Sequence, residues 1–216
     1  MLGLFSPGAT LPAVVVEPAA PPAVRRPPLR WRARQWAKCL LDGSLFLPTL
    51  AKIARRCGLL VAYSELRAVV THADGTATDY GLLGRRVVTD AGVAYLAADI
   101  AGGGSDSNLF KYHGYGTGTT NESAAHTALV TELTTEYASN STRPTGSQSS
   151  STNTYTTVGT LTPDSGGTLA ITEHGIFSAT SAGTMWDRTK FTAINLDSTA
   201  GDSLATTYVL TLPSGS

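Results

Sequence analysis

Residues 168–212 read TLAITEHGIFSATSAGTMWDRTKFTAINLDSTAGDSLATTYVLTL. Three extended runs stand out in this stretch: Thr168–Ala179, Thr184–Asn195 and Ser203–Leu212, parted by Thr-Ser-Ala-Gly and Asp-Ser-Thr-Ala-Gly-Asp clusters. Runs of about ten residues rich in threonine, β-branched and aromatic side chains, closed off by turn residues, predict β-strands. Their inward candidates are Ile171, Ile176, Phe177, Phe191, Ile194, Leu204, Tyr208 and Leu210.

The same pattern continues upstream. Leu109–Gly116, Thr142–Ser150 and Thr154–Leu161 read as further strands, with Val158 and Leu161 facing inward. Glu65–His72 alternates with Leu66, Ala68 and Val70 on one face, Asp74–Gly75 is a hairpin signal, and Tyr80–Val88 resumes an extended run. Between strands, Thr89 and Asp90 are good helix caps, and Val93, Leu96, Ala97 and Ile100 recur at helical spacing before Gly102–Gly104. From Thr117 onward 39 of 100 residues are Ser or Thr, which suits the wet faces of strands. Residues 61–216 are therefore expected to form a mainly β, sandwich or jelly-roll domain with one inserted helix over about 90–101.

The amino-terminal third differs. Residues 1–28 hold seven of the eleven prolines and are expected to form an extended arm. Residues 29–60 interleave apolar and basic side chains and predict two short amphipathic helices. The first stops at Asp42–Gly43; the second is capped by Thr49 and carries Leu50, Ile53, Ala54 and Cys57 on one stripe. Residues 1–67 contain ten basic and three acidic residues, a net of +7; the remainder, with six basic and thirteen acidic, carries −7. The candidate partner-binding residues are Arg25, Arg26, Arg30, Trp31, Arg32, Arg34, Trp36, Lys38, Lys52, Arg55 and Arg56. A basic amphipathic segment of this kind either docks on an acidic surface or folds back on its own sheet. The acidic surface has several sources: another protein, nucleic acid, an anionic membrane or the acidic half of a neighbouring copy.

The charged fraction, 15%, is below the roughly 25% usual in soluble domains, and argues against a helix-rich metabolic enzyme. Cys39 and Cys57 form no CxxC pair, so no zinc site or disulfide framework is legible and a reducing compartment is expected. Prolines break the apolar start, which lacks the basic region of a signal peptide, and charges break Leu45–Leu60, so neither secretion nor a membrane span is expected. The string Gly114–Thr120 has neither the third glycine of a dinucleotide fingerprint nor the Gly-Lys-Ser/Thr of a P-loop. Glu173 and His174 adjoin on a strand and so point to opposite faces, which leaves no dyad. Arg188 is instead a candidate to pair with Glu173 on a neighbouring strand. Asp164, Asp187, Asp197 and Asp202 read as turn residues without calcium-loop spacing. No catalytic residue, cofactor or metal ligand is assigned. Nucleic-acid binding by the sheets is not expected, because most basic residues lie outside them.

Several strings together are similar to those of a virion protein family of tailed bacteriophages: Gly84–Thr89, His113–Gly118, Thr127–Tyr137 (TALVTELTTEY), Ile171–Phe177 (ITEHGIF), Met185–Arg188 (MWDR), Phe191–Leu196 (FTAINL) and Gly201–Leu212 (GDSLATTYVLTL). They span about Tyr80 to Leu212. The resemblance implies a β-sandwich or jelly-roll domain on the outside of a phage particle, made in the host cytoplasm and carrying no catalytic residues. It implies a capsid decoration (cement) protein on the head surface, partnered by the major capsid protein. The alternative is a tail-associated component, such as a fibre base or receptor-binding part. Both fit a homo-oligomer such as a trimer.

Overall fold

The computed structural model describes residues 23–41, 49, 50, 53, 62–85, 87–103, 106–137 and 142–212. In chain order the elements are β1 (Val24–Arg25), α1 (Leu29–Leu41), β2 (Tyr63–Thr71), β3 (Ala77–Arg85), β4 (Val87–Val88), α2 (Asp90–Ile100), a 3-10 turn (Ser107–Leu109), β5 (Tyr112–Gly116), β6 (Ser147–Ser151), β7 (Thr154–Leu161), β8 (Thr168–Phe177), β9 (Met185–Asp197) and β10 (Ser203–Thr211). The architecture is mainly β. One mixed sheet runs β1-β3-β2-β10-β7-β6, its only parallel pair being β1 with β3. The second sheet has three full antiparallel strands, β9-β8-β5, and the two-residue β4 at the edge of β9. The sheets pack as a sandwich over Leu66, Val70, Leu83, Leu161, Ile171, Ile176, Ile194, Leu204 and Tyr208, all essentially without solvent contact. Residues 1–22 of the proline-rich arm lie outside the described residues, as does most of the second expected helix with Lys52, Arg55, Arg56 and Cys57.

Local chemistry explains the elements. At the β2–β3 turn Gly75 adopts φ +76°, and Asp74 Oδ1 accepts from Thr76 N at 2.8 Å, which gives the Asp-Gly hairpin its shape. Thr89 caps α2 by accepting from Gly92 N at 3.0 Å. Gly92 is needed there because a Cβ would lie 2.7 Å from the Trp186 carbonyl oxygen. The run expected as one strand over Tyr80–Val88 is split: β3 ends at Arg85 in the large sheet, and Val87–Val88 pair with Arg188 and Asp187 in the small one. The 107–109 stretch turns rather than extends because Asp106 accepts from Asn108 N at 3.1 Å. Similarly, Pro144 has no N–H to give a ladder, and β6 begins only at Ser147.

Strand parity corrects one inward assignment. On β7, Thr157, Gly159 and Leu161 point inward, so Val158, an odd number of positions from Leu161, faces out and is 38% exposed. The inner positions are small because His113 lies over them: its ring adjoins both Gly146 and Gly159, where any Cβ would collide with it. On β8 the register shifts between Ile171 and Glu173, which swaps parity along the strand. Ile171, His174 and Ile176 enter the main core, whereas Glu173 and Phe177 face the other side of the sheet. That side is also covered: Phe177 joins Leu129 and Met185 in a second apolar cluster beneath the 117–137 segment.

Gly159→Ala is expected to destabilise the fold by about 1–3 kcal/mol through overpacking against His113, whereas the outward Val158→Thr change stays within about 0.5 kcal/mol. Chemical denaturation of the two variants checks the assignment of faces.

Candidate interaction site

The α1 sequence LRWRARQWAKCLL has four basic residues and no acid. Pro28 starts it: its carbonyl accepts from Trp31 N at 3.0 Å and Arg32 N at 3.1 Å. One face of the helix is built into the sandwich. Beyond the short β1 and β4 contacts, the edges of β3 and β9 would be open, and unpaired strand edges need cover. Gln35, 4% exposed, supplies it: its Nε2 donates to the Leu83 carbonyl of β3, and its Oε1 accepts from Thr192 N of β9 at 3.0 Å. A single side-chain amide thus bridges the two sheets. Trp31 Nε1 donates to the Thr192 and Ala193 carbonyls at 3.2 and 3.0 Å, and its ring meets Tyr80 edge-on with centroids 4.7 Å apart. Lys38 lies 3.4 Å from Glu122, and Cys39 is buried.

Among the described residues nothing covers the opposite face of α1. Leu29, Ala33, Trp36, Ala37 and Leu40 follow one another on it at helical spacing, with Trp36 61% and Leu29 78% exposed. Arg30, Arg32 and Arg34 flank the stripe, and none forms an ion pair with another described residue. Nearby, Arg25 is 3.7 Å from Asp74 and Arg26 is exposed. Asp74 itself is held below the usual carboxylate range, chiefly by its hydrogen bonds from Thr76, with Arg25 adding to them. Eight of the eleven candidate residues therefore gather around α1 and β1, two of them, Trp31 and Lys38, turned inward. Lys52, Arg55 and Arg56 lie outside the described residues. Sequence reading missed Gln35, a polar residue at an inward helical position whose role depends on two strands far along the chain.

Two fully buried polar clusters lie elsewhere, and neither is open to a substrate. In the core, His113 Nδ1 is 3.0 Å from His174 Nε2 and 3.1 Å from Thr206 Oγ1, and His113 Nε2 is 3.1 Å from Thr157 Oγ1. Tyr115 OH donates to the Gly159 carbonyl at 3.1 Å. All five side chains have zero exposure. On the outer side of the small sheet, the Glu173–Arg188 pair lies at 2.7 Å, also with zero exposure on both sides. Glu173 further accepts from Gly118 N, Val130 N and Thr131 N, while Arg188 donates to the Thr120 and Asn121 carbonyls. The glycine-rich string ending at Gly118 is explained by this clasp: a Cβ on Gly116 would sit 2.6 Å from Glu173 Oε1, and one on Gly118 would collide with the same oxygen. Asp187 is buried within β9 rather than at a turn; Asp197 and Asp202 shape the β9–β10 turn, Asp202 accepting from Asp197 N at 3.1 Å. Among the described residues no group of three or more His, Cys, Asp or Glu is placed to hold a metal ion, and no helix is long and apolar enough to cross a membrane.

No protein-family model matches the chain, and no curated protein is significantly similar to it in sequence.

Arg188→Met is expected to destabilise the protein by about 3–5 kcal/mol, because it leaves the buried Glu173 without its ion-pair partner. Adding Glu173→Leu to it should not restore stability, since three backbone N–H groups then lose their acceptor at about 1–3 kcal/mol each; a double-mutant cycle by denaturation checks both. Burial pushes the Tyr115 and Tyr137 phenols well above their ordinary range. The folded chain therefore holds these protons more tightly than the unfolded one. The stability this confers is intact below about pH 10 and falls as pH rises beyond it. An alkaline titration at 295 nm should show these two phenolates appearing together with unfolding.

Proposed function

We propose that the protein is a capsid decoration protein of a tailed phage, bound in many copies to the outer surface of the head and stabilising it there. The observation that carries this reading is the uncovered face of α1, where exposed Trp36, Leu29 and Leu40 lie among three arginines on a helix rigidly seated on the sandwich. A rigid basic and apolar ridge is suited to an acidic protein surface. The body behind it, read at its finest as a jelly roll, offers Thr- and Ser-rich faces of low charge, which suit close packing of many copies. The virion-family resemblance of Tyr80–Leu212 agrees with this placement, with the major capsid protein as partner and the proline-rich arm as a strap. Modest contacts repeated over many copies add up by avidity, so no single interface needs high affinity.

Quantitative mass spectrometry of separated heads and tails tests the reading. Hundreds of copies in the head fraction are expected. A dozen or fewer, confined to tails, would replace it with the tail-associated alternative. Deleting residues 1–22, which precede β1, should lower head occupancy without loss of the β-sheet signal in circular dichroism.

A further inference from the structure

Two uncovered surfaces of the described chain complement each other. One is the α1 ridge. The other is built by α2 and the cleft beside it. α2 carries Asp90 and Asp99 and no basic residue, and its outer face is apolar: Val93 is 56% and Ile100 80% exposed, with Ala94 and Ala97 between them. Below it opens a cleft of about 300 Å³ lined by Leu96, Phe110, Tyr155, Trp186, Tyr208 and Leu210, among others. The polar atoms on its wall are already satisfied: Trp186 Nε1 donates to Tyr208 OH at 2.6 Å, Tyr155 OH to the Phe110 carbonyl at 2.8 Å, and Gln148 Nε2 to Tyr155 OH at 2.8 Å. The cleft therefore suits a flat apolar group. Acids stand at its rim. Asp99 Oδ2 accepts from the N–H of the lining residue Ser107 at 3.2 Å, and Asp106 Oδ2 accepts from Nδ2 of the lining residue Asn108 at 2.8 Å.

We propose that the partner of α1 is a second copy of this chain: the ridge of one molecule seats on the α2 side of another. Trp36 enters the aromatic cleft, and Arg30, Arg32 and Arg34 face Asp90, Asp99 and Asp106. This deepens the decoration reading, on which it rests: the ridge joins neighbouring copies into the layer that covers the head, and the proline-rich arm is left to reach the capsid protein. The charges of the two helices are complementary, three outward arginines and no acid on α1 against two acids and no base on α2. The helices match in length, at thirteen and eleven residues or about 20 and 17 Å. Trp36 does not serve its own cleft. α1 is pinned to β9 at Thr192 and Ala193, six residues along the strand from Trp186 in the cleft wall, or about 20 Å. Gln35 and Trp31 hold the ridge in place beforehand, so little ordering entropy opposes docking, and exposed Trp beside Arg is the combination that dominates interface energies. Because the two patches differ, each molecule offers one of each, and repetition leads to a closed ring or a continuing array.

Sedimentation velocity of the full-length protein across micromolar concentrations tests this. Wild type is expected to self-associate and to dissociate as salt rises. Trp36→Ala should weaken association at least about tenfold. Reversing the ridge (R30E, R32E, R34E) or the exposed face of α2 (D90K, A94K, A97K, which turns the net −3 of Asp90, Asp99 and Asp106 into +1) should each abolish it, and combining both sets in one chain should restore it. Far-UV circular dichroism shows that each variant is folded; every substituted residue is exposed. A wild type that stays monomeric overturns the proposal, as does an oligomer indifferent to ridge reversal or a combined variant that stays dissociated. Head binding separates the two readings. A monomeric protein that still decorates heads leaves the cement function standing without this interface, and a self-associating protein absent from heads leaves the interface without that function.

Discussion

Glu173 is a carboxylate with no solvent contact, and the outer side of the small sheet is arranged around neutralising it. Arg188 from the adjacent strand provides the countercharge, and three backbone N–H groups from the 117–137 segment fill its remaining acceptor positions. A carboxylate so placed requires all of these partners, since a buried charge left short of them is severely destabilising. The requirement fastens a long segment with little regular structure across the sheet. The segment in turn seals Phe177, Leu129 and Met185 from water. The shift in β8 register that turns Glu173 outward also turns His174 inward, so one backbone irregularity sets both polar centres.

A second constraint governs the other side of the molecule. Open strand edges invite unwanted pairing, and here α1 covers two of them through side chains rather than through another strand. Gln35 satisfies a carbonyl of one sheet and an N–H of the other, and Trp31 takes two further carbonyls. A helix seated by its inner face holds its outer face in place, so Trp36 and the flanking arginines form a fixed ridge on the body of the protein.

Much of this was legible from residues alone. The Asp74–Gly75 hairpin, the Thr89-capped helix and the run Thr154–Leu161 follow from turn chemistry, capping and alternation, all of which act over a few residues. The pairing of Glu173 with Arg188 was also within reach, as oppositely charged residues on successive strands of one hairpin. Val158 was not, because β-branched character marks it for a strand without saying which face it takes. That choice belongs to His113, whose ring needs Gly159 and Gly146 beside it. Splitting of the Tyr80–Val88 run likewise depends on β9, whose Asp187 and Arg188 draw Val87 and Val88 into the other sheet.

For the candidate surface the division is similar. Composition and periodicity alone determined that the chain is mainly β, that a basic amphipathic segment precedes the strands, and that charge is divided between its two parts. These are properties of local residue type. Only the tertiary structure decided that Trp31 and Lys38 turn inward while Trp36 turns out, that Gln35 rather than an arginine is the key inner residue, and that an acid-rimmed aromatic cleft lies beside α2. A helix's apolar and basic residues do not reveal which stripe meets the body, because that is set by the strand edges that need covering, and those edges are brought together from positions more than a hundred residues apart.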